Sequence, residues 1–222
     1  MTRRNIRLLG LIGIPVLALA VVAWYLLPAL GIGVSQEARF ERWRHTGDVA
    51  ALAAEVRNPD TAAARAAVRE LGSCGPRAVP LIEEAMKDTR AEVREAAALA
   101  YARAAGTGKV HPLAAVARGD PSAEVRAAAV TALGEVRAID DMETLLTALE
   151  DPQRIVRLRA SAAIARIIGR RYEFDADGTP DQRRAAVAAM REAWSSMEPT
   201  TRDYYKIQAG RSGGDGSGKS SR

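Results

Sequence analysis

The chain has 222 residues, of which 48% are hydrophobic and only 5% aromatic, so a core of ordinary domain size has to be built from aliphatic side chains. Its 32 basic and 27 acidic residues leave a net charge of +5, a mixed surface rather than the polycation of a nucleic-acid binder, and we expect no nucleic-acid partner. The single cysteine, Cys74, excludes an intrachain disulfide and a cysteine-based metal cluster, and the two histidines leave the usual histidine-rich metal sites without ligands.

The N-terminal part of the chain is predicted to cross a membrane. Residues 8–34 carry no charge and are long enough for a bilayer core, which needs about 20 apolar residues in a helix. Trp24 and Tyr25 lie toward the far end of this stretch, where aromatic rings sit at the level of the lipid headgroups. We therefore expect a transmembrane helix that acts as a signal anchor, with a basic tail at 1–7 before it and a juxtamembrane helix or linker at 35–46 after it.

The topology of this anchor depends on its flanking arginines. Both flanks carry the same number, with Arg3, Arg4 and Arg7 before the helix and Arg39, Arg42 and Arg44 after it. Retaining the short basic tail is easier than exporting it against the membrane potential. This favours a single-pass protein of a bacterial inner membrane, with the bulk of the chain on the extracytoplasmic side. A cytoplasmic domain, or secretion after cleavage of the segment as a signal peptide, stays open as an alternative.

The remainder of the chain repeats. The stretch DPSAEVRAAAVTALG, which begins at Asp120, is matched by DTRAEVREAAALAYA from Asp88 and by DPQRIVRLRASAAIA from Asp151. A weaker copy, NPDTAAARAAVRELG, begins at Asn58. The copies begin at positions 58, 88, 120 and 151 and are therefore almost evenly spaced. Such regular spacing is the signature of a repeat architecture, so we expect stacked copies of one structural unit.

Each copy predicts a pair of helices joined by a tight turn. In the copy that begins at Asp120, one helical face is apolar and consists of Val125, Ala129, Ala132, Leu133 and Val136. Another apolar run precedes each copy and ends at its Asp or Asn, which a proline follows in three of the four copies. That dipeptide is typical of a helix N-cap with proline at the first helical position. Because a two-helix unit cannot bury its apolar face alone, neighbouring units must stack into a solenoid.

The repeated motif resembles the HEAT repeat family, in particular the short bacterial type also seen in phycobilisome lyase subunits. The pattern D-(P)-x-x-x-V-R-x-x-A-x-x-A-L-G is clearest at 120–134 and recurs at 88–102 and 151–165. The resemblance implies an all-α fold: a short right-handed α-solenoid of about four helix pairs over residues 47–169, followed by a capping helix. The expected repeats are about 47–75, 76–106, 107–137 and 138–169.

The resemblance also implies a structural hydrogen-bonding ladder between successive repeats. Its members are the aspartates and arginines of the motif: Asp88, Arg94, Asp120, Arg126, Asp151 and Arg157. The first copy departs from the pattern, because Asn58 and Ala64 occupy the positions of the aspartate and the arginine, as in a terminal cap.

A C-terminal capping segment is predicted at 170–208, with one helix at 180–196. Thr179 and Gln182 have the spacing of a capping box at the start of that helix. The acidic stretch FDADGTPD overlaps this start and lacks the further ligands that a calcium loop requires. Residues 209–222 are rich in glycine and serine and are predicted to form a disordered tail.

Nothing in the repeats predicts a catalytic site. A di-iron hydroxylase similar to the deoxyhypusine hydroxylase family would need His-Glu pairs directly after the Val-Arg of the motif. Those positions hold Glu95-Ala96, Ala127-Ala128 and Leu158-Arg159. A bilin lyase activity has no support beyond the repeat itself, because the chain has few aromatic residues to hold a tetrapyrrole. We therefore predict no enzyme, no cofactor, no metal and no small-molecule substrate, and keep a lyase- or hydroxylase-like activity as the least favoured alternative.

Function is then expected on the surface of the stack. In this architecture the second helix of each pair lines the inner face, so its exposed side chains are candidates for binding a partner. These candidates are Glu92, Glu95, Glu124, Glu135, Arg154, Arg159 and Arg166. The face is predicted to run from acidic to basic and to steer a protein partner by complementary charge. The predicted function is that of a membrane-anchored adaptor or scaffold for protein–protein interaction, and an accessory or regulatory subunit of a membrane complex stays open.

Overall fold

The computed structural model describes residues 48–106, 110–169 and 172–214, and the regular elements in these ranges are all helical. The α-helices are α1 Val49–Val56, α2 Thr61–Leu71, α3 Val79–Ala85, α4 Ala91–Ala105, α5 His111–Gly119, α6 Ala123–Glu135, α7 Met142–Ala148, α8 Arg154–Ile168, α9 Pro180–Ser195 and α10 Pro199–Gly214. Short 3₁₀ turns, Gly72–Ala78 and Ile139–Asp141, precede α3 and α7.

The predicted membrane helix at 8–34 lies outside the described residues, as do its flanks at 1–7 and 35–46. No helix within the described ranges is both long and apolar enough to cross a bilayer.

The first eight helices form four pairs, as the repeats predict. The first helices of the pairs are α1, α3, α5 and α7, and each packs on the second helix that follows it. The second helices α2, α4, α6 and α8 pack on one another in chain order and form a continuous layer. The described part of the chain is therefore an all-helical, solenoid-like stack, in which each pair contacts mainly its neighbours.

The core of this layer is the apolar face predicted from the repeat. Val125, Ala129, Ala132 and Leu133 are all fully buried in α6, and Val136 is nearly so. The equivalent Val93 and Val156 are fully buried as well. Burying one such aliphatic side chain contributes about 1.5–3 kcal/mol, and the repetition of the motif multiplies this contribution along the stack.

Small residues allow the second helices to approach closely. A methyl group added at Gly134 of α6 would lie 2.7 Å from Cβ of Ala163 in α8, closer than two carbon atoms can pack. Two repeats earlier, a methyl group at Gly72 would lie 3.1 Å from Cβ of Ala100 in α4. The final glycine of the motif is therefore required by packing between helices rather than by the backbone conformation.

The motif aspartates do not cap helices in the way that we predicted. The N-cap residues of the second helices are Asp60, Arg90, Ser122 and Gln153, each two positions after the predicted Asn58, Asp88, Asp120 and Asp151. The reason is visible at Asp120, which ends α5 and accepts a hydrogen bond from the backbone N–H of Ser122 at 2.9 Å. The carboxylate closes the turn in this way, and it also accepts hydrogen bonds from Arg94 of the preceding repeat.

The C-terminal segment contains two helices instead of the single one predicted. Helix α9 begins with the expected capping box between Thr179 and Gln182 and packs on α7, and its Val187 and Met190 are buried. Helix α10, which contacts α8 and the Ile139–Asp141 turn, continues to Gly214. The beginning of the predicted tail at 209–222 is thus helical, because the backbone hydrogen bonds of α10 propagate into it; residues 215–222 lie outside the described ranges.

Candidate interaction surface

The inter-repeat ladder is present as two bidentate ion pairs. The guanidinium of Arg94 in α4 donates from Nε to Oδ2 of Asp120 at 2.8 Å and from Nη2 to Oδ1 at 3.0 Å. Arg126 in α6 repeats this geometry on Asp151, at 2.8 and 2.9 Å. Two parallel charge-assisted hydrogen bonds are both stronger and more directional than a single one, so each pair fixes the register of one repeat on the next.

Each ladder arginine also holds the turn of its own repeat. Nη1 of Arg94 donates to the carbonyl oxygens of Asp88 and Thr89, at 2.9 and 3.0 Å. Nη1 of Arg126 donates to the corresponding carbonyls of Asp120 and Pro121. One guanidinium therefore joins two consecutive turns, and the Asp–Arg motif is a device for stacking rather than for chemistry.

The last ladder position has a different partner. No further aspartate of the motif follows in the sequence, and Arg157 donates from both Nε and Nη2 to the carbonyl oxygen of Ala176, at 2.9 and 2.7 Å. Its Nη1 donates to the carbonyl of Asp151, at 2.8 Å, so that Arg157 and Asp151 meet through the backbone and not through the carboxylate. The segment between α8 and α9 thus closes the ladder with a peptide carbonyl, which the sequence motif could not indicate.

The first ladder position is filled by a residue that the sequence reasoning missed. Because Ala64 stands where the motif has arginine, the preceding repeat supplies no motif arginine to Asp88. Instead Arg90, two positions later, donates from Nε and Nη2 to the two carboxylate oxygens of Asp88, both at 2.9 Å. Its guanidinium then reaches back to the carbonyls of Asn58 and Val56, at 2.7 and 3.0 Å. The sequence does contain a sign of this contact, because only this copy of the motif has a basic residue two positions after its aspartate or asparagine.

Hydrogen bonds in the ladder lower the pKa of two aspartates, Asp88 and Asp120. Burial alone would raise the pKa of Asp120, but the hydrogen bonds from Arg94 and from the backbone N–H of Ser122 outweigh it, and the pKa falls below its ordinary value. For Asp88 the hydrogen bond from Arg90 is the largest effect, and the pKa is lowered there too. The carboxylates are thus held in their charged form at neutral pH.

The predicted partner-binding residues lie on the solvent-exposed side of the second-helix layer. Six of the seven are exposed: Glu92, Glu124, Glu135, Arg154, Arg159 and Arg166. Glu95 is half-buried. Arg154 is not a free cation, because Asp177 binds it through two hydrogen bonds of 2.5 and 2.7 Å. Arg159 and Arg166 form no ion pair within the described part of the chain.

The sign of charge on this layer does not run simply from acidic to basic. Arg65 and Arg69 of α2 occupy the repeat positions of Glu95 and Leu99, so the first helix of the layer is basic. The layer is consequently basic on α2, mostly acidic on α4 and α6, and basic again on α8, with Arg103 as an exposed basic residue of α4. We call this set the second-helix face: Arg65, Arg69, Glu92, Glu95, Arg103, Glu124, Glu135, Arg159 and Arg166. The sequence reasoning missed the α2 arginines because the first copy lacks the Asp–Arg motif.

The two most reactive side chains of the described ranges, His111 and Cys74, belong to different elements. His111 is exposed at the start of α5, and Cys74 is half-buried in the Gly72–Ala78 turn, where its thiol donates to the carbonyl of Glu70 at 3.5 Å. Within the described ranges, no three side chains of the His, Cys, Asp and Glu type are grouped so as to hold a metal ion.

Comparison with known proteins gives a fold. No protein-family model and no curated protein matches the sequence. A chain in the complex of CpcE and CpcF of phycocyanin lyase from Nostoc sp. PCC7120 is similar, with a TM-score of 0.50 and 20% identity over 74% of this chain and 99% of that chain. A designed armadillo repeat protein in complex with the peptide (KR)4 has a TM-score of 0.45 and 18% identity, over 77% of this chain and 84% of that one. With the repeated motif and the stacked helix pairs, the first likeness confirms that this chain has a HEAT-like helical-repeat fold.

Proposed function

We propose that this chain is a membrane-anchored adaptor, whose HEAT-like stack binds another protein through the second-helix face and performs no chemistry of its own. The observation that carries the proposal is the arrangement of charge on that face. The four second helices, held in register, present arginines on α2 and α8 and mainly glutamates on α4 and α6, on side chains that are mostly exposed.

The rigidity of the layer supports this proposal. The ladder pairs and the close contacts of Gly72 and Gly134 fix the spacing between neighbouring second helices. Charges on a fixed scaffold discriminate between partners, because a wrong partner meets like charges at several positions at once. A surface of this kind increases both the rate and the selectivity of association more than it increases affinity.

The anchor is part of the proposal and rests on the sequence alone. Residues 8–34 are uncharged and long enough to span a bilayer, and we propose that they hold the stack at a bacterial inner membrane, on the extracytoplasmic side. Reporter enzymes that are active on one side of the membrane only, fused after Arg222, test this topology. Activity of the cytoplasmic reporter alone would reverse the orientation, and release of the fusion into the medium would indicate cleavage.

The adaptor function is tested by reversing the charge of the acidic part of the face. The variant Glu92→Lys/Glu124→Lys/Glu135→Lys and the native chain are each tagged, expressed in the native host, crosslinked and purified from detergent extracts. The matched control is Arg77→Glu, an exposed arginine of the Gly72–Ala78 turn outside the face. We expect the control to retain the native partners and the triple variant to lose them.

The outcomes separate the adaptor from the other candidates. An identical set of partners for the native chain and the triple variant would refute binding through this face. Recovery of one membrane complex at fixed stoichiometry would indicate a permanent subunit rather than an adaptor.

A further inference from the structure

The second helices share a seam, a strip of small residues, that is only partly covered on α8 in the described part of the chain. Along each earlier second helix, two small or medium side chains face the next repeat and are buried beneath it. These residues are Val68 in α2 and Gly72 directly after it, Ala98 and Ala102 in α4, and Val130 and Gly134 in α6. Their counterparts in α8, Ser161 and Ala165, are only half-buried. Within the described part of the chain, the seam that receives a helix in every other repeat is therefore only partly covered on α8.

Large apolar side chains border the open seam. Leu158 is 37% exposed and Ile155 is 40% exposed, whereas Ala127, which corresponds to Leu158 in α6, is 5% exposed. Helix α9 continues the layer of first helices by packing on α7, whereas α10 packs on α8 much less extensively than α8 packs on α6. The fifth pair is therefore incomplete, because Ser161 and Ala165 of the seam remain partly exposed.

The charged side chains beside the seam are basic. Arg159 and Arg166 follow Ile155 at helical spacing, on the same exposed side of α8, and form no ion pair within the described residues. Arg154, one helical turn before Leu158 on the same side of α8, is neutralised by Asp177. A helix that lies in the seam would gain ion pairs with Arg159 and Arg166 only if it carries carboxylates on the side that faces them.

We propose that the α8 seam, which consists of Ile155, Leu158, Ser161 and Ala165 with Arg159 and Arg166 beside it, docks an acidic helix of the partner protein in place of a fifth second helix. This inference rests on the proposed adaptor function and specifies the chemistry of its partner. The docked helix carries alanine, serine or glycine where it crosses Ala165, because the native crossing of Gly134 and Ala163 admits no larger side chain. It carries aspartate or glutamate toward Arg159 and Arg166.

Other occupants fit the seam less well. Helix α10 of the same chain carries Arg202 and Lys206, so it offers no excess of carboxylates to the two arginines. A second copy stacked end to end would present its α2, where Glu70 occupies the position that Ala100, Ala132 and Ala163 hold in the other second helices. That side chain is too large for the close crossing. A flat bilayer surface reaches Ile155 and Leu158 but cannot fill the half-buried positions Ser161 and Ala165.

The experiment uses the full chain in detergent and a synthetic probe. The probe is a fluorescent, alanine-based peptide of about 18 residues with glutamates along one side, long enough to be helical in water. The matched peptide has lysine in place of each glutamate. Fluorescence anisotropy measures the affinity of both peptides for the native chain, for Ala165→Trp, for Arg159→Glu/Arg166→Glu and for the control Arg77→Glu. Circular dichroism verifies that each variant is folded. If Ala165→Trp does not fold, Arg159→Glu/Arg166→Glu tests the seam alone, because both of its substitutions are at exposed positions.

We expect the acidic peptide to bind the native chain and the control equally, and to lose at least about tenfold in affinity for either seam variant, the change that 1.4 kcal/mol produces. The lysine peptide should not bind. Equal binding of both peptides, or an affinity that neither seam variant alters, would overturn the proposal. Binding to anionic phosphatidylglycerol vesicles without any binding of the peptides would also overturn it. The same holds for a dimer that is detected by sedimentation of the native chain and is absent in Ala165→Trp.

The same variants separate this proposal from the adaptor function. If the crosslinked partners depend on Glu92, Glu124 and Glu135 but remain with Arg159→Glu/Arg166→Glu, the adaptor function stands and the seam proposal fails. If the native chain captures no partner, the adaptor function fails, whereas the peptide titration still reports on the seam alone.

Discussion

The guanidinium of Arg126 and the carboxylate of Asp151 are joined by two parallel hydrogen bonds, although the residues belong to different repeats. Only 12% and 10% of the two side chains are exposed, and Arg126 also binds two carbonyls of its own turn. The pair is therefore a point at which one repeat is attached to the next, and removing it measures how much the motif contributes to the stability of the stack.

Replacing Arg126 by alanine should destabilise the chain by about 3 kcal/mol, because the nearly buried carboxylate of Asp151 and two carbonyls lose their partner. Urea unfolding followed by circular dichroism measures the change in free energy. Arg77→Ala, at an exposed arginine of the Gly72–Ala78 turn, should change it by less than about 0.5 kcal/mol. The double variant Arg126→Met/Asp151→Leu should recover most of the loss, since it leaves no unpaired charge. A loss as large in the double variant would show that the ion pair is not the cause.

The ladder shows what the sequence could and could not predict. The repetition of the motif relates Arg94 of one copy to Asp120 of the next, and the structure contains this pair. At the ends of the stack the repetition stops, and the partners are then local: Arg90 at the first turn and the carbonyl of Ala176 at the last. A backbone carbonyl has no sequence signature, so the second of these contacts was not predictable.

The stability of the stack should depend on acid through Asp120. Its pKa is lower in the folded chain than the value of about 3.9 in an unfolded one, so the stabilisation is complete above that unfolded value and is lost as the pH falls through the folded pKa. At pH 7, Asp120→Asn should be less stable than the native chain by about 2 kcal/mol, because it loses the charge-assisted hydrogen bonds from Arg94.

That difference should narrow as the medium is acidified below the folded pKa, and unfolding measured in urea at a series of pH values follows it. Glu135→Gln, on the exposed side of α6, serves as the control and should leave the acid dependence unchanged. A constant difference between native and Asp120→Asn at every pH would contradict a titration of this carboxylate.

Gly134→Ala should destabilise the chain by about 1–3 kcal/mol, the usual range for overpacking, although alanine is the better helix former. The added methyl group would lie 2.7 Å from Cβ of Ala163 and would force α6 and α8 apart. Gly119→Ala, where nothing lies within 4 Å, should be neutral or stabilising by up to about 1 kcal/mol. Thermal unfolding measures both changes. The reciprocal variant Gly134→Ala/Ala163→Gly should restore stability, and its failure to do so would place the strain elsewhere.

The face and the seam differ in how far the sequence could predict them. Glu92 and Glu124 are exposed as the helical period requires, because that period separates core from surface within each helix. The exposure of Leu158 depends on the absence of a covering helix in the described part of the chain, a property of the whole stack that the pattern of one repeat does not contain. Likewise, the pairing of Arg154 with Asp177 depends on the path of the segment after α8.

Tyr101 should resist ionisation. Burial among apolar residues and the neighbouring carboxylate of Glu83, to which its hydroxyl donates at 3.3 Å, raise its pKa to about 12. The neutral phenol therefore stabilises the fold fully below the unfolded value of about 10, and this contribution is lost as the pH rises through the folded pKa. Ultraviolet difference absorbance of phenolate should show a late step that is missing in Tyr101→Phe. A step that persists in the variant would assign it to another tyrosine.

Arg90→Ala should loosen the first repeat without loosening the last. The change removes the hydrogen bonds to both carboxylate oxygens of Asp88 and to the carbonyls of Val56 and Asn58. Because a stacked repeat contacts mainly its neighbours, the effect is confined to that end of the chain. Hydrogen exchange followed by mass spectrometry should show faster exchange of peptides from α1 and α2, with α7 and α8 unchanged. Arg126→Ala is the matched variant, because it removes an ion pair in the interior of the stack. In this variant, exchange should also become faster in α5 to α8. Equal acceleration throughout the stack in Arg90→Ala would mean that the repeats unfold as one unit.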